Sequence, residues 1–203
     1  NVATSFLVEI YGKTVLQPSR PIAAGEIVKI DIPKDYYING EGLFKNRVVR
    51  VVAEDPVIVY SYITRAAQSS ATVCLPTQVL GKEYYSMNYT QRSNYGFSNS
   101  YFTIVAVEDN TVVEITPSSK TSSGKGGGSP YTVPLSKGDV YQVLGELYDY
   151  KIDNFFAGAD LTGSRISSIS SGSGSCKRIA VFSGSGKVTI GDAGCGGSSD
   201  NLY

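Results

Sequence analysis

The feature that most constrains this chain is the spacing of its apolar residues. Short runs of β-branched and aromatic residues recur along its length, and residues 26–32 (EIVKIDI) show their period most plainly. Ile27, Lys29 and Asp31 fall on one side of that run, and Val28, Ile30 and Ile32 on the other. Period two belongs to a half-buried strand, whose successive side chains point to opposite faces. No window of helical length carries a 3.6-residue apolar period, so the chain reads as all-β. Further strands are expected at Thr4–Ile10, 47–53, 56–63, 84–89, 102–107, Thr111–Thr116, Tyr131–Leu135, Val140–Leu144, Arg165–Ile169, 178–183 and 187–190. Short helical turns fit around 77–80. Glu108-Asp109-Asn110 lies between 102–107 and Thr111–Thr116 and reads as a hairpin loop. Many short strands separated by turn signals favour a sandwich or barrel. Residues 118–129, 170–175 and 194–199 are rich in Gly and Ser and too poor in apolar atoms to order themselves by burial.

Three pairs of segments recur in the same order. Val8-Glu9-Ile10 returns as Val113-Glu114-Ile115, residues 24–30 (AGEIVKI) as 137–143 (KGDVYQV), and residues 57–61 (VIVYS) as 179–183 (IAVFS). The separation between the copies grows along the chain, as longer loops in the second copy require. The expected architecture is therefore two related antiparallel β-sandwich modules, jelly-roll or Ig-like, from an internal duplication. Residues 1–100 form the first module, and 101–203 the second, which lacks a terminal strand. The duplication also implies unfinished borders. Thr111–Thr116 has a neighbour before it, whereas its counterpart Thr4–Ile10 has none, and 84–89 has no counterpart in the second copy. An open sheet edge invites a strand from elsewhere. The segment Thr4, Ser5, Phe6, Leu7, Val8, Glu9 and Ile10, terminal and apolar, is the natural strand to be donated in assembly.

Composition closes off several chemistries. There is no histidine, so no Ser-His, Cys-His or His-ligated zinc site can be built. Lys+Arg and Asp+Glu both number 18, and a balanced charge argues against nucleic acid and against a polybasic membrane contact. No apolar run approaches the length that spans a bilayer, and no leader is visible. Neither a catalytic set nor a metal site nor a cofactor motif emerges. Gly184-Ser185-Gly186-Lys187 lacks the rest of a phosphate loop. Glu108-Asp109, Glu54-Asp55 and Asp31/Asp35 are carboxylate pairs by type only, better read as turn residues than as the acids of a glycoside hydrolase.

Three cysteines suit an oxidising compartment if two of them pair. A hairpin turning at Ser185-Gly186 sets Cys176 opposite Cys195, while the repeat places Cys74 where Cys195 stands and leaves Cys74–Cys195 as the competing pair. Asn88-Tyr89-Thr90 fits a glycosylation acceptor. Fifteen tyrosines, among them Tyr36-Tyr37, Tyr84-Tyr85, Tyr89, Tyr95 and Tyr101, suit strand packing first and sugar stacking or a protein interface second.

Two stretches carry a family resemblance. Leu75-Pro76-Thr77, Leu80-Gly81-Lys82-Glu83-Tyr84, residues 104–111 (IVAVEDNT) and Ile115-Thr116-Pro117 form the first. Residues 160–164 (DLTGS), 179–184 (IAVFSG) and Cys195 with 199–203 (SDNLY) form the second. In that order they resemble the N-terminal domain family of IgGFc-binding protein, over about residues 50–203. The resemblance implies a large, multidomain, secreted or bacterial surface protein and an adhesion or binding module with no enzymatic activity. It also implies that the polypeptide continues beyond Tyr203. The expectation is a non-enzymatic extracellular cell-surface adhesion module without cofactor, its partners other copies of itself, further domains of the same polypeptide, or a glycan or glycoprotein. The alternative is a structural subunit of a head-to-tail filament assembled by strand donation.

Overall fold

The computed structural model describes residues 2–65, 68–152, 154–170, 172, 174–190 and 200–202. The first half carries β1 (Thr4–Ile10), β2 (Thr14–Ile22), β3 (Gly42–Phe44), β4 (Val49–Ala53), β5 (Val59–Arg65), β6 (Gln68–Cys74), β7 (Glu83–Tyr85) and β8 (Gln91–Ser93). The second carries β9 (Ser100–Ala106), β10 (Thr111–Thr116), β11 (Tyr131–Leu135), β12 (Val140–Leu144), β13 (Leu147–Ile152), β14 (Phe155–Gly158), β15 (Arg165–Ile169), β16 (Ile179–Ser185), β17 (Val188–Ile190) and β18 (Asp200–Leu202). Two single 3-10 turns, Lys34–Tyr36 and Thr77–Val79, are the helical elements among the described residues, the second where the sequence suggested one.

The strands form antiparallel sheets ordered β2-β1-β4, β11-β10-β15-β7, β16-β9-β12-β3 and β13-β14-β8, with the ribbons β5-β6 and β17-β18. One buried cluster draws on both four-stranded sheets. Phe102, Ile104 and Ala106 of β9, Val143 of β12 and Ile179 of β16 meet Val113 and Ile115 of β10, Leu135 of β11 and Ile166 of β15. Alternation in β9 and β10 puts these residues on one face each, so the cluster follows from the sequence period. A smaller apolar face, Phe6, Val8 and Ile10, lies on β1.

Several expectations are corrected. The segment before Thr111–Thr116 is not its hairpin partner: β9 pairs with β12 and β16, and β10 with β11 and β15. Glu108-Asp109-Asn110 is an arch between two sheets. Both flanking strands have an apolar face, and crossing between sheets buries the two faces in one core. Asn110 takes the left-handed conformation (φ 55°) that a bend this tight needs, and Thr111 Oγ1 donates to Glu108 O at 2.7 Å.

β1 is not an unpartnered terminal strand. It is the centre of its sheet, with β2 on one side and β4 on the other, so its hydrogen bonds are already taken. Donation of β1 to another copy would have to replace these pairings. The expected hairpin at Ser185-Gly186 does not form either, because β16 pairs with β9 and β17 with β18. Residues 26–32 keep the expected alternation in exposure but join no sheet. Nor do the sheets divide at residue 100. β3, β7 and β8 hydrogen-bond to β12, β15 and β14, because pairing partners are chosen across the fold and not along the chain.

Gln142 of β12 ties the segment just before β3 to the main core. Gln142 Nε2 donates to Gly40 O at 2.8 Å, and Thr103 Oγ1 donates to Gln142 Oε1 at 2.9 Å. The Tyr11 ring packs where a side chain on Gly138 would stand, and Gly138 has φ +84°, so this position excludes other residues twice over. Lys137 Nζ lies 5.7 Å from the centre of the same ring.

The Gly/Ser-rich segment 118–129 is ordered by hydrogen bonds instead of burial. Ser122 N donates to Leu144 O at 2.8 Å, Glu146 N to Lys120 O at 3.0 Å and Gly128 N to Pro117 O at 2.7 Å. Thr121 within it is buried.

Candidate functional site

The three-stranded sheet β13-β14-β8 carries an open cleft of about 580 Å³, lined by residues 94–97, 147–151 and Phe156. Its floor is local in origin. Ser93 Oγ accepts from Tyr95 N at 3.0 Å and Ser98 Oγ donates to Tyr95 O at 3.1 Å, and both serines are buried. These bonds fix the turn from which Tyr95 and Phe97 project, their rings edge to face at 5.9 Å. Gly96 lies against the Phe156 ring.

The opposite wall is a bulge. Leu147 pairs with Gly158 and Lys151 with Phe156, so β13 holds more residues than β14 between those two points. A bulge breaks the simple up-down alternation. Residues 147–151 line the cleft across this bulge. The Tyr148 and Tyr150 rings stack at 5.1 Å and 12°. Gly158 permits the close approach, since a Cβ there would lie 2.7 Å from Glu146 O.

The cleft is largely aromatic but has polar groups. Phe97 is 80% exposed, Tyr150 56% and Tyr95 53%, and the three share one cleft. Lys151 Nζ sits 4.4 Å from the Phe156 ring centre and covers that ring. The Asn94 and Asp149 side chains make no hydrogen bond to the described residues, and both residues line the cleft.

The residues singled out from sequence are dispersed. Of the tyrosines named there, Tyr95 alone reaches this cleft. Tyr84 packs on the core and its hydroxyl accepts from Gly81 N at 2.6 Å. Burial pushes the Tyr101 hydroxyl above its ordinary range. Asn88 Nδ2, the atom an N-linked glycan would occupy, donates at 2.6 Å to both Tyr101 O and Gly184 O, so the side chain is a bridge between β9 and β16. Cys74 and Cys176 are half-buried free thiols, and Cys195 lies outside the described residues. Burial raises the Cys74 thiol, opposed in part by a bond to the Ser61 backbone. The register that faced Cys176 with Cys195 needed β16 and β17 to pair, and they do not.

Glu108 Oε1 accepts from Arg178 N at 3.1 Å and Asp109 Oδ1 from Lys137 N at 3.0 Å. These carboxylates hold turns. The 160–164 motif is also architectural. Asp160 Oδ1 accepts from Thr162 N at 2.8 Å and Thr162 Oγ1 at 2.7 Å, while Ser164 Oγ donates to Leu161 O at 2.7 Å. Among the described residues no cluster of three or more Cys, Asp or Glu side chains is placed to hold a metal ion. No helix among them is long and apolar enough to cross a membrane.

Sequence reading passed over Phe97, Tyr148, Tyr150 and Phe156. The visible signal was the pairing of Tyr148-Asp149-Tyr150 with Phe155-Phe156 across Asn154, which has φ 65°.

Comparison with curated proteins gives no match, and comparison with solved structures gives none. The family model described as IgGFc binding protein matches residues 70–203, about two thirds of the chain. That span takes in the core cluster, the bulged β13 and the aromatic cleft, and the chain belongs to the IgGFc binding protein family.

Proposed function

We propose that this chain is a non-enzymatic extracellular adhesion module that holds a glycoprotein or glycan partner at a cell surface. The observation that carries this reading is the cleft, where exposed aromatic rings converge on a hydrogen-bonded framework. Such rings offer large contact area at low entropy cost, which suits binding. Of the carboxylates considered for hydrolysis, Glu108 and Asp109 accept from backbone N–H groups. The family's description makes IgG Fc one protein partner to test directly. The experiment is retention of the purified chain on cells and on glycoprotein-coated surfaces, Fc included. Retention without turnover of glycans supports the reading. Product release that is lost on replacing Glu108 or Asp109 overturns it in favour of a glycoside hydrolase.

The architecture behind this module is a β-sandwich with an internal duplication. Support comes from strand order: β2-β1-β4 repeats the order and antiparallel sense of β11-β10-β15, with Val8 opposite Val51 as Val113 is opposite Ser168. In the second copy β12 and β16 flank β9. Their counterparts in the first copy are residues 24–30 and 57–61, and residues 26–32 are alternately exposed and unladdered. That favours a second reading, in which this segment accepts a strand during assembly. Electron microscopy at high protein concentration tests it. Filaments that vanish on an Ile30→Pro substitution support it, and only isolated particles count against it.

A further inference from the structure

Resting on the binding-module reading above, the geometry points to a carbohydrate site in the cleft between residues 94–97 and the bulge of β13. It takes a neutral pyranose-based oligosaccharide, stacked on Phe97 and Tyr150. A pyranose has an apolar face of C–H bonds and a polar rim of hydroxyls. An exposed aromatic ring covers the first without burying the second. Phe97 and Tyr150 are 80% and 56% exposed, and both line the cleft. Asp149 and Asn94 line it too and are unengaged among the described residues. A carboxylate accepts from two neighbouring hydroxyls at once, and a carboxamide both donates and accepts. Those are the partners a sugar rim needs.

The bulge also separates a sugar from a peptide. β13 is the edge strand of its sheet, and a regular edge would be a template for an added peptide strand. Its ladder is interrupted between Leu147 and Lys151, the stretch that lines the cleft. A bulged edge is a poor template for a strand, while its side chains remain presented. The Asp149 carboxylate in the lining disfavours an anionic ligand, and Lys151 is drawn over the Phe156 ring.

The test is calorimetric titration of the full chain with a panel of neutral oligosaccharides built from glucose, galactose, mannose and N-acetylglucosamine. A proline-rich peptide serves as a competing probe. We expect at least one sugar to bind. Phe97→Ala and Tyr150→Ala each weaken that binding by about tenfold, the order expected for one lost ring contact. Asp149→Asn weakens it by less, while Tyr62→Ala on β5, outside the cleft, leaves it unchanged. Thermal unfolding of each variant verifies that it folds. No binding to any sugar, binding indifferent to the Phe97 and Tyr150 changes, or a peptide bound in place of sugars overturns the site. Cell retention that survives enzymatic removal of surface glycans also overturns it and leaves the adhesion reading intact.

Discussion

Asn88 carries two readings, one from its tripeptide and one from its hydrogen bonds. As a sequence it is a glycosylation tripeptide. In the fold its amide bridges the carbonyls of Tyr101 and Gly184, and its own N–H donates to Thr162 Oγ1 at 3.0 Å. Asn88→Ala strands two carbonyls and is expected to cost about 1–3 kcal/mol, read as a lower urea midpoint. A glycan found on Asn88 of the folded protein would contradict this placement. The tyrosines carry a pH dependence. Burial raises Tyr101, Tyr131 and Tyr141, and Glu41 adds to the rise at the last two. Each hydroxyl holds its proton more tightly folded than unfolded. The folded state therefore binds more protons above the free tyrosine value of about 10. Stability is full below that pH and falls as pH rises through it. Urea midpoints at about pH 8 and about pH 11 should differ in that direction, and equal midpoints would refute it.

At the scale of elements, burial decides what an apolar residue is worth. Ile104 in β9 is fully buried between paired strands, and Ile104→Ala should cost about 2–5 kcal/mol. Ile27 carries the same side chain in an equally apolar run but is 94% exposed. Ile27→Thr should stay within about 0.5 kcal/mol of the parent in the isolated chain. Chemical denaturation of the two variants makes the comparison. A large loss at Ile27 would place that segment in a core. Strand positions were legible in sequence because alternation is local: Thr4–Ile10, Thr111–Thr116, Tyr131–Leu135, Val140–Leu144 and Arg165–Ile169 fall where the period puts them. Pairing was not legible, because a strand's neighbours depend on remote residues. Hence β9 and β10 read as a hairpin, and β3, β7 and β8 went unassigned to their sheets. The cleft was hidden for a related reason. Its wall depends on a bulge, a mismatch between two strands that neither strand records alone.

For the whole molecule, order is concentrated. The ten residues of the buried cluster all lie in the span from Phe102 to Ile179. The β5-β6 ribbon is the opposite case, with Tyr60 at 66% and Tyr62 at 62% exposure. Amide hydrogen exchange should therefore be slowest in β9 and β10 and fast throughout β5 and β6. Uniform protection across both would show that the ribbon is covered in solution. The repeat was visible as three short matches. The shared order of β2-β1-β4 and β11-β10-β15 is a statement about neighbours that no linear reading supplies.

The Gly/Ser-rich stretch from 118 to 129 has the composition of a linker and the bonding of a clasp. Its backbone grips Pro117, Leu144 and Glu146, and Ser123 Oγ donates to Glu41 Oε1 at 2.7 Å. An endoprotease needs an extended, pliant substrate, so limited digestion should spare Lys120 and Lys125 and cut first at basic residues elsewhere. Mass mapping of the earliest tryptic fragments reads this out. For anyone engineering the molecule, the stretch that looks safest for an inserted tag is one to leave alone.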